Sequence, residues 1–343
     1  MPGVRVLHEF RVRLGVSGLR QINEHLLQPL VQSYAWREGS VGLIDATDLP
    51  VACVGFKKNT GRYSADRAAL GGRTLKSGQS RCFVGYKKHT LRLWLHDYRA
   101  GVLLVPLVSW AAPANVSEGG LLVPSLHHCQ RQWNWCPPLI VADLGYLAAE
   151  AKPQCRERWH VAVLTKLRRD MKLVAPYVAW NQAACPQGEP LAWMGYDRWA
   201  DKHWFGAGAH AQLCARCWQA ADCPKQFAYR PEHHETLLGL LPLASPPVQR
   251  VLQQVRPWIE PAQSFEKIQL GLGQVFLNSL RFTWAMSLLA DAVGILRAHV
   301  LLARPPAQAL LAGLMPTQLS LELPLENPWG FSHDAPQHSR NPQ

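Results

Sequence analysis

Two carboxylates close short apolar runs in this sequence. Asp45 follows Val41-Gly42-Leu43-Ile44, and Asp143 follows Leu139-Ile140-Val141-Ala142. An acid at the carboxyl end of a buried strand faces the crevice where ligands bind in open α/β sheets. Burial there is costly unless the carboxylate is paired or holds a cation. Two such acids, joined by a third from a helix, make an oxygen-ligand set for Mg²⁺ (or Mn²⁺). That chemistry suits the transfer or hydrolysis of a phosphodiester. Asp48 is a neighbouring alternative to Asp45, and the plain alternative for either acid is a turn or cap residue.

A second group has the density of a small zinc site: His210, Cys214, Cys217 and Cys223, spaced His-x3-Cys-x2-Cys-x5-Cys. Two thiolates on one turn, completed by the imidazole and the third thiolate, would make a structural tetrahedron. Cys185, His233 and His234 are possible substitutes, and free buried thiols are the alternative. No Gly-x-Ser-x-Gly elbow and no Gly-rich phosphate loop ahead of a helix occurs, so those chemistries are set aside.

The charge is uneven. The chain of 343 residues carries 36 Lys+Arg against 24 Asp+Glu, a formal net charge of +12. Residues 51–100 hold eleven of the basic side chains against Asp66 and Asp97 alone, which is +9 of that total. Such local excess points to a polyanionic partner, with nucleic acid ahead of a membrane surface. Lys57, Lys58, Arg73, Lys76, Lys87 and Lys88 are the expected phosphate contacts, and a solvated surface is the alternative reading. Hydrophobic residues at 48% and charged residues at 17% exclude wholesale disorder and coiled coil. Nine cysteines, mostly scattered, point to a reducing compartment, and no apolar leader stands behind basic residues at the start. The expectation is a soluble intracellular protein with no membrane span. Phe282 to Ala303 contains Asp291, Arg297 and His299, and reads as a buried amphipathic helix.

The elements that must position these residues follow from periodicity. Val4 to Leu30 has helical spacing and suggests a helix pair. Residues 40–47, 83–94, 101–108, 138–143 and 161–164 read as strands, with a hairpin turn at Arg99-Ala100-Gly101 and a helix over Leu121 to Gln132. Two or three antiparallel strands, a helix and then a parallel strand give an α/β fold. Residues 177–240 form an irregular insertion rich in Cys, His and Trp, and helical periodicity returns from Val251 to about Ala312. The expected organisation is a short helical segment at 1–38, a core at 39–176 and 241–313 interrupted by that insertion, and a floppy tail at 314–343.

Taken together, Leu43-Ile44-Asp45-Ala46-Thr47, Asp143-Leu144-Gly145-Tyr146 and Arg256-x3-Glu260-x6-Lys267 resemble the DDE transposases of bacterial insertion sequences. The nearest branch is the cut-and-paste one with a Tyr-x2-Arg-x3-Glu-x6-Lys signature. Gly85 to His89 and Pro113 to Glu118 resemble the strand and loop between that branch's two aspartates. The likeness runs from about Gly42 to Ala303. Gln253 stands where the signature has Tyr, and the portion before Asp45 is short for this branch. That portion is expected to be a reduced end-binding domain, or the start of a chain that begins late in a longer ancestral frame.

The resemblance implies an RNase H-like core, a mixed five-stranded sheet flanked by helices. It implies that Asp45, Asp143 and Glu260 hold Mg²⁺, and that Arg256 and Lys267 contact phosphates near the cut. Glu266 remains the alternative third acid. On a helix Arg256, Glu260 and Lys267 share one face, with Pro257 and Pro261 restricting them to a helix start or a kink. The implied activity is DNA strand cleavage and strand transfer between element ends and target DNA, by a homodimer on DNA in the bacterial cytoplasm, associated with the nucleoid. A decayed or domesticated copy that binds DNA without cutting is the alternative, and a zinc-dependent regulatory module is more remote.

Overall fold

The computed structural model describes residues 4–35, 40–52, 55–74, 79–97, 101–146, 150–167, 178–179, 182–208, 211–218, 220–235, 237–273 and 279–303. The chain divides into two compact units. The first comprises Met1–Arg168 and Glu235–Pro306, and the second is built from the described residues of Arg169–His234. These bounds start and end the insertion earlier than the span 177–240 expected from composition.

The first unit is mixed α/β. Its strands are β1 (Val41–Pro50), β2 (Phe56–Lys57), β3 (Arg62–Tyr63), β4 (Ala69–Thr74), β5 (Ser80–Asp97), β6 (Gly101–Pro113), β7 (Leu139–Ala142) and β8 (Ala162–Leu164). The main sheet runs β4-β5-β1-β7-β8, with β6 also paired to β5. Strands β1, β5 and β6 are antiparallel to their neighbours in turn, whereas β1, β7 and β8 run parallel. The strands β6, β5, β1, β7 and β8 thus make a mixed five-stranded arrangement, which β4 extends along β5. Val41 to Ile44 and all of β7 are buried, as expected for central strands covered on both faces. The two stretches read from the sequence as apolar runs ending on an acid are these central strands.

Helices cover the sheet. They are α1 (Val4–Leu30), α2 (Leu122–Trp133), α3 (Ala151–Trp159), α5 (Pro246–Val255), α6 (Ile259–Ser264) and α7 (Leu280–Leu302); α4 (Ala211–Ala215) lies in the second unit. Helix α1 is two helical segments joined at Gly15, whose φ of 62° lies in the left-handed region that only glycine adopts freely. Helices α1 and α7 pack together, and α7 lies on β5 and β6; α2 packs on β6 and α3, and α3 on β8. Leu27, Ile44, Leu91, Leu93, Val105, Leu122, Leu126, Ile140 and Ile295 form the centre of the core. Among the described residues α7 is the helix long and apolar enough to cross a membrane by length and composition, at a mean hydropathy of 1.6. Here its Thr283, Ser287 and Asp291 are buried, and Asp291 is bridged to Lys88 of β5.

The second unit has more order than its composition suggests. Strands β9 (Val178–Ala179) and β10 (Gln182–Ala183) pair, and β11 (Ala192–Asp197), β12 (Lys202–Gly206) and β13 (Gln226–Tyr229) form an antiparallel sheet. His203 and Phe205 alternate on β12 and pair across to Tyr229 and Phe227. His203, Phe205 and Tyr229 are buried, with Phe205 and Tyr229 meeting edge-on at 5.6 Å between ring centroids. The expectation of an irregular insertion is corrected: these strands bury a small aromatic cluster. Aromatic residues at a period of two form it, over strands too short for a periodicity scan to register.

Candidate active site

The parallel register of β1 and β7 ends on the pair Ile44 and Ala142. Asp143 follows directly on the carboxyl end of β7, but Asp45 lies inside β1, which continues to Pro50, and it faces Thr90 of β5. The expected strand end at Asp45 is thus corrected; the two acids are neighbours on strands about 4.8 Å apart. Two acids remote in sequence are thereby neighbours because the parallel register of β1 and β7 sets them at the same level, where β7 runs out and β1 continues. Gly145 then allows a close approach: a Cβ there would run into the Glu118 carboxylate.

A helical segment lies across this pair. Arg256 Nη2 donates to Asp143 Oδ1 at 2.9 Å, and Gln263 Nε2 donates to the Asp45 carboxylate and, at 3.2 Å, to the Ala46 carbonyl. Glu260 lies between these two residues in sequence, on α6 just after the 3₁₀ turn that carries Arg256. Its carboxylate is exposed and makes no ion pair among the described residues. The two prolines act as their chemistry requires. A 3₁₀ turn holds Arg256–Trp258, α6 begins at Ile259, and Phe265–Gln269 widens into a π turn. Gln253, in the position of the signature tyrosine, is exposed near the end of α5.

The acidic pocket is electrostatically strained. Burial above all pushes Asp45 up to about 7, and nearby Asp143 and Glu118 push it the same way. A backbone N–H bond and Arg92 act against this without cancelling it. Glu118 is a third acid of the pocket that the sequence reading left among quoted loop residues. It accepts from Lys87 Nζ at 2.8 Å. Tyr146 is buried against the same acids, and its hydroxyl hydrogen-bonds His89 Nδ1 at 3.0 Å. Burial lowers His89 to about 4, so the imidazole is neutral at ordinary pH. Hard oxygen donors around a carboxylate held partly protonated fit a divalent cation. Among the described residues, however, no three His, Cys, Asp or Glu side chains already stand together as a metal-ligand group.

Several expected contacts take other places. Lys88 is completely buried: its Nζ donates to Glu266 at 2.8 Å and to Asp291 at 2.7 Å. It is removed from the phosphate-contact set, because alternation along β5 turns it inward while Lys87 turns toward Glu118. Glu266 is not a spare metal ligand. Lys88 and Arg92 both bridge it, and they hold it down to about 2 despite its burial. Lys57 and Lys58 are exposed on the β2–β3 hairpin, Arg73 lies on β4, and Lys267 lies in the π turn. Lys76 lies outside the described residues. So does His210, whereas Cys214, Cys217 and Cys223 are half-buried free thiols on and after α4.

No family model matches this chain, and no curated protein matches it.

Proposed function

We propose that this chain is a DDE transposase with an RNase H-like core, cutting DNA and joining the freed end to a target. The observation that carries the reading is the neighbouring pair Asp45 and Asp143, met by Arg256 and Gln263 from the segment that also carries Glu260. Asp45 and Asp143 would hold Mg²⁺ (or Mn²⁺), with Glu260 swinging inward from its exposed position. The bound ions would activate the attacking oxygen and stabilise the leaving one. In cleavage a water oxygen bonds to phosphorus as the bond to the leaving 3′ oxygen breaks, and that oxygen takes up a proton. The resulting 3′-hydroxyl then attacks a phosphodiester of target DNA in the same in-line way. Arg256 and Lys267 would hold phosphates beside the cut, with Arg256 exchanging Asp143 for the strand. The protein would act as a homodimer in the bacterial cytoplasm, and Cys214, Cys217 and Cys223 with His210 would hold one structural Zn²⁺.

A second reading, a copy that binds DNA without cutting, is favoured by one observation: Arg256 and Gln263 occupy the two aspartates in place of a cation. One experiment separates them. Supercoiled plasmid is incubated with protein and Mg²⁺, and nicks are counted beside DNA retention on a filter. Nicking that Asp143→Asn abolishes while retention persists supports the enzyme. Retention with no nicking by the wild-type chain supports the second reading, and normal cutting by Asp143→Asn removes the site assignment.

A further inference from the structure

Strand β1, which carries Asp45, ends at Pro50, and the chain then rises into the β2–β3 hairpin before returning to β4. The foot of that hairpin is tied down. Gly55 and Ser64 exchange two hydrogen bonds: Gly55 N donates to Ser64 Oγ at 2.9 Å, and Ser64 N donates to the Gly55 carbonyl at 2.7 Å. Ala65 is buried in a cluster with Leu49, Val51 and Tyr86, and the Tyr86 hydroxyl donates to the Asp66 carbonyl at 2.6 Å. The tip is closed by Lys57-Lys58-Asn59-Thr60-Gly61, with Gly61 at a φ of 62°.

What the hairpin displays is unfavourable for a hairpin in water. Lys57 pairs directly across from Arg62, and like charges facing each other across strands destabilise the pairing. Lys57, Lys58 and Arg62 are exposed, and none has a carboxylate partner among the described residues. Beside them Phe56 keeps 56% of its surface exposed, with Tyr63 meeting it at 64° and 5.3 Å. Two rings so inclined do not stack face on face. An arm that sets unpaired like charges beside an exposed ring, on a foot anchored in the core, violates local stability rules in a way typical of binding sites. A ligand with regularly spaced negative charge and flat apolar rings would relieve both strains.

We propose that the β2–β3 hairpin is an arm that takes an unpaired base of a DNA strand on Phe56, while Lys57, Lys58 and Arg62 hold the adjoining phosphates. Aromatic platforms in basic surroundings bind single strands in this way, and a base locked in a duplex offers no free face. The proposal rests on the DNA reading above, and adds that the DNA engaged here is strand-separated. The arm grows from the strand bearing Asp45, so it would hold an unpaired stretch beside the cut.

The test uses the full chain in EDTA, so that cutting is not required. Fluorescence anisotropy measures binding of a labelled oligothymidine and of a blunt duplex of equal length. Phe56→Ala is expected to weaken oligothymidine binding by about tenfold or more and leave the duplex within about twofold, with Phe56→Trp restoring the loss. Changing Lys57, Lys58 and Arg62 together to Gln should flatten the log–log salt slope for the single strand by about 2. The arm is overturned if Phe56→Ala binds both probes like wild type, or weakens both equally, or if the triple variant keeps the wild-type slope. Wild-type binding of neither probe would overturn the DNA reading as well. Metal-dependent nicking that persists with an inert Phe56→Ala would remove the arm alone.

Discussion

Two carboxylates in this molecule, the buried Glu266 and the half-buried Asp45, are treated in opposite ways. Glu266 meets Lys88 and Arg92, and these cations hold it down to about 2; Asp291 on α7 completes the quartet through Lys88. Asp45, one strand away from that group on β1, is pushed up to about 7, with acids for neighbours and a glutamine for a donor. The quartet has two cations and two acids and closes electrically, which suits a fixed joint between β5 and the helices that follow α5. The pocket does not close. A half-buried acid left short of positive charge has a place for a cation, and that difference separates a structural cluster from a candidate site.

The largest expected effect tests the closed side of the comparison. Lys88→Met leaves Glu266 and Asp291 with one cation between them, and urea unfolding should show a loss of about 3–5 kcal/mol. Asp45→Asn removes a charge that its surroundings resist, so it should be neutral or stabilising in metal-free buffer. Equal losses in the two variants would erase the distinction.

The pH dependence sharpens the open side. The folded pKa of Asp45 is raised, so the native state binds its proton more tightly than the unfolded chain does. Its stabilising contribution is fully present below about 4 and disappears as pH rises through about 7, by at most about 1.4 kcal/mol per pH unit. His89 acts in the opposite sense. Its folded pKa is lowered to about 4, so its contribution is present above the ordinary value near 6.5 and is lost as pH falls. The difference between wild type and Asp45→Asn, followed by chemical denaturation across this range, isolates the carboxylate. A flat difference would mean that Asp45 is not held protonated.

A divalent cation should then act on the pocket and not on the quartet. Mg²⁺ at about ten times its dissociation constant should stabilise the wild-type chain by about 1.4 kcal/mol at pH 7, and should leave Asp45→Asn unmoved. Thermal melts with and without Mg²⁺ read this directly, and an equal shift in the variant would place the ion elsewhere. The smallest effect belongs to the surface: Lys57→Gln with Lys58→Gln should change stability by less than about 0.5 kcal/mol. Against the loss at Lys88, that contrast measures how differently two Lys-Lys pairs of one basic window are used.

Much of the frame was legible because it is written in local periodicity. The first part of β1 and the whole of β7 are short apolar runs, each followed by its acid, and α2 and α7 lie almost where helical spacing put them. The small core of the insertion leaves little periodic trace in the sequence because His203, Phe205, Phe227 and Tyr229 alternate over strands of only five and four residues.

By itself, then, the sequence determined the buried apolar runs that lead into Asp45 and Asp143 and the helices α2 and α7, since both depend on neighbours a few residues apart. Tertiary structure alone decided how the charges are divided between core and surface. Lys88 finds its partners 178 and 203 residues further along, and Gln263 reaches Asp45 across 218. Glu118 joins the acidic pocket only because Gly145 lets it approach. The physical reason is that burial and ion pairing are properties of the packed environment, and residues so far apart in the chain leave no periodic trace of their meeting.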